Sequence, residues 1–172
     1  MNKLRTSTSE NTPGAADAVD ERLRRDISGK IQDMNKKRVL IVDDDQACAR
    51  ILQAGLERTG AYEVQTEQRA TNALPAARKF EPDMILLDVC MIDGDGGDVA
   101  FALRNDKQLQ NIPIVFLTSI ISENEARDCS ARRGTFPFLA KPARLERVIA
   151  CIEKHTDTVD LNRQLSNGRA SP

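Results

Sequence analysis

The sequence predicts an α/β domain, a doubly wound sheet of five parallel strands with helices on both faces. Three observations carry the prediction. Short apolar runs recur along the chain, VLIV at 39–42, MILLDV at 84–89 and IPIVFLT at 112–118. They are continuous rather than alternating, as strands buried on both faces are. Amphipathic helical patterns separate them, and strands that alternate with helices form parallel sheets with right-handed crossovers. The chain is also long enough: 172 residues, 40% hydrophobic and 30% charged, allow one core of ordinary size plus spare length.

In order, VLIV is the first strand. Asp45 caps a helix over 46–59, with Ala49, Leu52 and Leu56 facing inward and Gly60 as its stop. Tyr62 to Gln65 is a second, shorter strand. A helix runs from Thr71 to Lys79, with Pro75 tolerated near its first turn. MILLDV is the third strand, 90–97 a Gly/Asp-rich loop and 98–105 a helix. IPIVFLT is the fourth strand. Ser122 and Glu125 form a capping box for a helix reaching Arg133. Phe136 to Ala140 is the fifth strand, and the last helix runs from Arg144 to His155, with Leu145, Val148, Ile149 and Ile152 on one face.

The organisation is an extension over 1–36, a domain over 37–155 and a polar tail over 156–172. The first 14 residues are polar and rich in breakers, which predicts disorder. Val19, Leu23, Ile27, Ile31 and Met34 then step at helical spacing, a short helix that either is solvated or docks on the domain, on a partner or on a second copy in a homodimer. Residues 1–38 hold nine Lys and Arg against six Asp and Glu, net +3; the remainder holds 16 against 20, net -4. The total of -1 gives no general pull toward nucleic acid or an anionic membrane. No Trp and a single Tyr argue against an aromatic stacking platform. No apolar run approaches a membrane span, and no signal peptide opens the chain, so a cytoplasmic location is expected. Cys48, Cys90, Cys129 and Cys151 are widely spaced and read as small apolar residues in a reducing compartment.

In doubly wound sheets ligands bind beyond the carboxyl ends of the strands. There the first strand ends in Asp43, Asp44 and Asp45, the third at Asp88, the fourth in Thr118 and Ser119, and the fifth in Lys141 before Pro142. If the strands are neighbours, carboxylates, a hydroxyl and an ammonium share one pocket. Clustered carboxylates repel unless a cation lies among them. Mg²⁺ suits such oxygen ligands and a phosphoryl group, and a carboxylate can itself be the nucleophile, giving an aspartyl phosphate.

VLIVDDD, PDMILLDV, PIVFLTS and FLAKP, in this order and spacing, resemble the receiver domain of two-component response regulators over residues 37–155. The resemblance implies a flavodoxin-like fold with strand order 2-1-3-4-5. It implies that Asp88 is the phosphoacceptor. Asp43 and Asp44 would be the acidic pair that holds Mg²⁺, Asp44 directly and Asp43 through water, with Asp88 itself and the backbone carbonyl of Cys90 completing the metal site. Lys141 would contact the phosphoryl oxygens, Thr118 would hydrogen-bond them, and Phe138 would change rotamer with Thr118. The Lys141–Pro142 bond is a candidate cis peptide that would aim the lysine. The implied donor is a histidine kinase or histidine phosphotransfer protein, and the readout is a downstream protein target. Three residues depart from the family pattern: Ile92 where proline is frequent, Ala70 where glycine is frequent, and Cys90 beside the pocket.

Other readings compete. Asp93, Asp95 and Asp98 suggest a calcium loop, but Asp98 and Arg104 stand where an EF-hand wants Gly and Glu. A haloacid-dehalogenase-like phosphatase wants D-x-D, and Asp88 is followed by Val89 and Cys90. A receiver-like module that switches without phosphate, and a receiver cut from a larger kinase or cyclase, both remain open. The 17 residues after the last helix are too few for a DNA-binding output domain, so the expected readout is a protein.

Overall fold

The computed structural model describes residues 36–119 and 136–167, the last eleven of these by their backbone alone. The short helix expected from Val19 to Met34, the capping box at Ser122, and Cys129 lie outside the described residues.

Five parallel strands form the sheet: β1 (Lys37–Val42), β2 (Tyr62–Glu67), β3 (Met84–Asp88), β6 (Ile114–Thr118) and β7 (Phe138–Ala140). Their order is β2-β1-β3-β6-β7, the doubly wound 2-1-3-4-5 arrangement. Two short strands, β4 (Cys90–Met91) and β5 (Gly94–Asp95), pair antiparallel as a separate hairpin. Four α-helices are described: α1 (Gln46–Glu57), α2 (Ala73–Phe80), α3 (Gly96–Asn105) and α4 (Leu145–Asn167).

The central strands earn their place by burial on both faces. Val39, Leu40, Ile41 and Val42 are fully buried, as are Met84, Ile85, Leu86 and Leu87. Because side chains alternate along a strand, each run feeds two cores. Val39, Ile41, Leu86 and Leu117 pack under Ala49, Leu52 and Leu56 of α1 and Val148 and Ile152 of α4. Leu40, Val42, Ile85, Leu87 and Phe116 pack under Ala73 and Ala77 of α2 and Val99, Ala100 and Leu103 of α3. These two layers on one sheet set the helix positions, and so fix where the strand ends point.

Local chemistry explains where the elements begin and end. Asp45 caps α1, its Oδ1 accepting from Ala47 and Cys48 N–H at 3.0 and 3.1 Å. Gly60 takes a φ of 78°, the left-handed turn that ends the excursion. Several boundaries differ from the sequence reading: β2 runs on to Glu67 and β7 begins at Phe138 rather than Phe136, and four other differences have a local cause. The segment expected to be helical from Thr71 opens as a 3₁₀ turn (Ala70–Asn72), and Pro75 falls at the third residue of α2. The fourth strand begins at Ile114 rather than Ile112 because Pro113 has no N–H to donate, although its carbonyl still accepts from Ile85 N–H at 2.9 Å. The stretch read as a loop over 90–97 contains the β4–β5 hairpin, and α3 begins at Gly96, capped by Asp95 Oδ1 on Gly97 N–H at 2.6 Å. The last helix passes His155 and continues to Asn167, because neither Gly nor Pro interrupts the chain between Leu145 and Asn167. No described helix is long and apolar enough to cross a membrane.

At the end of the sheet remote from the carboxyl termini, Arg78 donates Nε and Nη2 to Asp106 Oδ2 at 2.9 and 2.5 Å. Asp106 Oδ1 caps the next turn, accepting from Gln108 and Leu109 N–H. The Arg78 bonds, ahead of these backbone donors, hold the Asp106 carboxyl below its usual value. A depressed carboxylate contributes stability above its unfolded pKa of about 3.9 and loses it as pH falls through the folded value. Arg78→Met is therefore expected to lower the melting temperature at pH 7, and the gap from the unsubstituted protein should narrow once the pH drops below about 4. Melting curves across that range check both the gap and its direction.

Candidate functional site

The strand register brings the polar strand ends together. Val42 pairs with Leu87, so Asp43 and Asp88 are neighbours one step further on. Leu117 pairs with Asp88 and with Leu139, and Thr118 pairs with Ala140, which sets Lys141 just beyond the end of β7. Lys141 N–H donates to Thr118 carbonyl at 2.8 Å, and the Lys141–Pro142 peptide is cis.

Side-chain geometry completes the cluster. Lys141 Nζ lies 2.7 Å from Asp43 Oδ2 and 2.9 Å from Asp88 Oδ2, bridging two carboxylates. Asp43 Oδ1 accepts Asp45 N–H at 3.0 Å. Asp44 stands at the rim, where Oδ2 accepts Ile92 N–H at 2.8 Å. One carboxylate oxygen from each of Asp43, Asp44 and Asp88 lies within 4.8 Å of the others. Asp43 is fully buried and Asp88 nearly so.

Three carboxylates share one ammonium, so the cluster carries excess negative charge. Burial pushes the Asp43 carboxyl up and the Asp88 charge adds to this, while the bond to Lys141 opposes both. Burial alone would lower the Lys141 ammonium, but its bonds to Asp43 and Asp88 prevail and hold it above the ordinary lysine value. A divalent cation would relieve the surplus. The donor set is oxygen-only, as Mg²⁺ requires, and the three carboxylate oxygens are close enough to bind one ion. Among the described residues no other group of three His, Cys, Asp or Glu could hold a metal.

The other expected site residues take distinct places. By strand alternation Asp43, Asp88 and Lys141 share the sheet face of Ile41, Leu86 and Leu139, under α1 and α4. Thr118 and Phe138 follow the parity of Phe116 and lie on the opposite face. Thr118 is buried at the end of β6. Phe138 stacks on Phe116 with centroids 5.2 Å apart, and Phe136 meets Phe116 edge-on at 5.3 Å. Cys90 is exposed rather than buried, which corrects the reading of all four cysteines as apolar filling. Cys151 does fit that reading, its thiol pushed up to about 11 by burial.

Sequence reasoning missed what fixes the loop after β3. Gly96 N–H donates to Val89 carbonyl at 2.8 Å, and a Cβ on Gly96 would stand 2.1 Å from the Asp88 carbonyl oxygen. The three atoms it would crowd, the Asp88 carbonyl oxygen and carbon and Val89 Cα, are all backbone and cannot swing away. Gly96→Ala is expected to cost about 3 kcal/mol, the upper end for an overpacked site, and to displace Asp88. Urea denaturation checks the first effect and Mg²⁺ affinity the second. The D-G-D-G-G run marked this turn as tight, but only the fold shows which glycine the Asp88 backbone requires.

Comparison with known proteins agrees with this fold. The chain matches the response regulator receiver domain family over residues 39–153. It is 38% identical over 105 residues to the response regulator PleD of Caulobacter vibrioides, which covers 61% of this chain and 23% of that protein. It is 42% identical over 109 residues to the alkaline phosphatase synthesis transcriptional regulatory protein PhoP of Bacillus subtilis, covering 63% of this chain and 43% of that protein. The chain thus spans well under half the length of these two relatives. Among solved structures it resembles the chemotaxis response regulator CheY4 of Vibrio cholerae, with a TM-score of 0.59 and 28% identity over 69% of this chain and 98% of that one.

Proposed function

Because the chain belongs to the response regulator receiver family, we propose that Asp88 accepts a phosphoryl group in a Mg²⁺-dependent reaction and that the chain signals by binding a protein. Receiver domains in general bind Mg²⁺ and interact with histidine kinases or phosphotransfer proteins and with downstream targets. The donor in this reading is a phosphohistidine on such a partner. The phosphorus–nitrogen bond breaks as a bond forms from phosphorus to an Asp88 carboxylate oxygen, and the freed imidazole keeps the electron pair. The observation that carries the reading is the Lys141 ammonium bridging Asp43 and Asp88 at 2.7 and 2.9 Å, beside three carboxylate oxygens within 4.8 Å.

The chain's own residues then have separable tasks. Asp88 is the nucleophile, its carboxylate paired with the Lys141 ammonium. Lys141 neutralises charge on the phosphoryl oxygens, and phosphoryl transfer depends on such positioning and neutralisation. Asp43, Asp44 and Asp88, with the Cys90 carbonyl, are the groups that would hold Mg²⁺, and it would supply positive charge to these carboxylates. The product is close to a dianion. Thr118, at the neighbouring strand end, would hydrogen-bond it. A shift of Thr118 would reach Phe138 on its own face of the sheet, biasing a two-state surface there.

The test is incubation of the purified chain with acetyl phosphate, with and without Mg²⁺, read by intact mass. One Mg²⁺-dependent phosphoryl adduct is the expected result. A chain that takes none, while a phosphorylatable receiver does so in parallel, is a module that works without phosphate.

A further inference from the structure

The β4–β5 hairpin carries Ile92, whose N–H holds Asp44, yet little in the hairpin holds the hairpin itself. Each strand has two residues, and the pairs Cys90↔Asp95 and Met91↔Gly94 leave Ile92 and Asp93 as the turn. Two-residue turns that match strand twist need positive φ, at both turn residues in type I′ and at the first in type II′. Neither Ile92 nor Asp93 has one. A lone two-stranded hairpin is marginal in water even when its turn is favourable. Something outside must hold it.

Hydrogen bonds on two sides do so. On one side Asp44 Oδ2 accepts Ile92 N–H at 2.8 Å. On the other, the Asp93 side chain reaches across to the start of the 3₁₀ turn before α2. Its Oδ1 accepts Ala70 N–H at 2.9 Å, and its Oδ2 accepts Thr71 Oγ1 at 3.2 Å and Thr71 N–H at 3.5 Å. The backbone amides at the start of a helical segment have no partner within it, so a carboxylate here meets a real need. The Ala70 bond, first among several, holds the Asp93 carboxyl below its usual value. The hairpin also lies close against this segment, since a Cβ on Gly94 would stand 2.8 Å from Ala70 Cβ. Ile92 and Asp93 are adjacent in a two-residue turn, so fixing one fixes the other.

We propose that Asp93 is a positioning residue for the acidic site, anchoring the β4–β5 hairpin to the start of α2 so that Ile92 N–H orients Asp44 for Mg²⁺. The inference rests on the Mg²⁺ reading above. It adds a residue that touches neither metal nor phosphoryl group. It also accounts for Ile92: the turn lacks the proline frequent at that position, and a side-chain anchor takes over the stiffening.

Mg²⁺ affinity, measured by calorimetry without any phosphoryl donor, tests it. Groups that orient metal ligands typically change affinity by 10–100-fold when removed. Asp93→Ala is expected to weaken Mg²⁺ binding about tenfold and to speed amide exchange at Ile92. Asp93→Asn keeps one acceptor and should fall in between. Asp98→Asn removes the same charge from the first turn of α3 and controls for lost electrostatic attraction; it should change affinity less than about twofold. Thr71→Val, which removes one bond and leaves the site's charge intact, should weaken binding in the same direction as Asp93→Ala. If Asp93→Ala binds Mg²⁺ as tightly as Asp98→Asn does, Asp93 has no positioning role, whatever its melting temperature. If the unsubstituted chain binds no Mg²⁺, the site reading and this inference fall together.

Discussion

Asp88→Asn will take up no phosphoryl group from acetyl phosphate, with labelling below about a thousandth of the unsubstituted level. An amide in place of the carboxylate leaves no oxygen nucleophile able to form an acyl phosphate. The substitution is nearly isosteric, so the fold should survive. Lys141 keeps its 2.7 Å contact with Asp43 and loses only the 2.9 Å contact with Asp88. Charge even improves, because two carboxylates now share one ammonium. Asp88 is one of the groups that raise the Asp43 carboxyl, so that carboxyl should relax toward its ordinary value. Asp88→Asn is thus expected to melt at or above the unsubstituted protein in the absence of Mg²⁺. Equal labelling of the two proteins would sink the assignment. Loss of labelling together with loss of fold would instead point to a structural role.

That one cluster could be read so fully before its geometry was known has a physical basis. Strand burial writes continuous apolar runs, and a doubly wound sheet puts the ends of those runs in one place. Asp43, Asp88 and Lys141 were each identifiable as the polar residue that closes such a run. What the sequence hid depends on contacts between segments far apart in the chain. Asp93 and Ala70 are 23 positions apart and Asp44 and Ile92 are 48; no local pattern marks either pair. Asp93 and Asp95 look alike in D-G-D-G-G, yet one anchors a distant turn and the other caps its own helix. The helix overrun to Asn167 is a different kind of miss. Polar helix formers without Gly or Pro fit a tail as well as a helix, and polarity was the stronger signal.

Lys141→Met should produce the largest loss of stability at the site, and one with a distinctive pH dependence. The ammonium is the only cation among the described residues that contacts Asp43 or Asp88. Its side chain is 13% exposed and Asp43 is 0% exposed. Removing one partner of a buried pair typically costs 3–5 kcal/mol, because the other charge is left uncompensated; partial exposure of Lys141 places the cost near 3 kcal/mol. Asp43 then has burial and Asp88 raising its pKa with only the Asp45 N–H bond still opposing them. A carboxyl raised in the folded state binds more protons there than in the unfolded chain, so stability increases as pH falls from that raised value toward about 3.9. Lys141→Met is therefore expected to be much less stable than the unsubstituted protein at pH 7, with a deficit that shrinks as the pH falls toward about 3.9. Arg78→Met differs in range and not in direction: its deficit persists at pH 5 and shrinks only below about 4. Mg²⁺ at pH 7 should also restore part of the loss, since it supplies charge to the same carboxylates. Phosphoryl uptake should stay about a hundredfold slow even then, because losing a preorganised positive donor typically costs that much. Urea titrations at pH 7 and pH 5, with and without Mg²⁺, separate these effects. A deficit that is the same at both pH values, and unmoved by Mg²⁺, would mean that Lys141 acts by packing and not by charge.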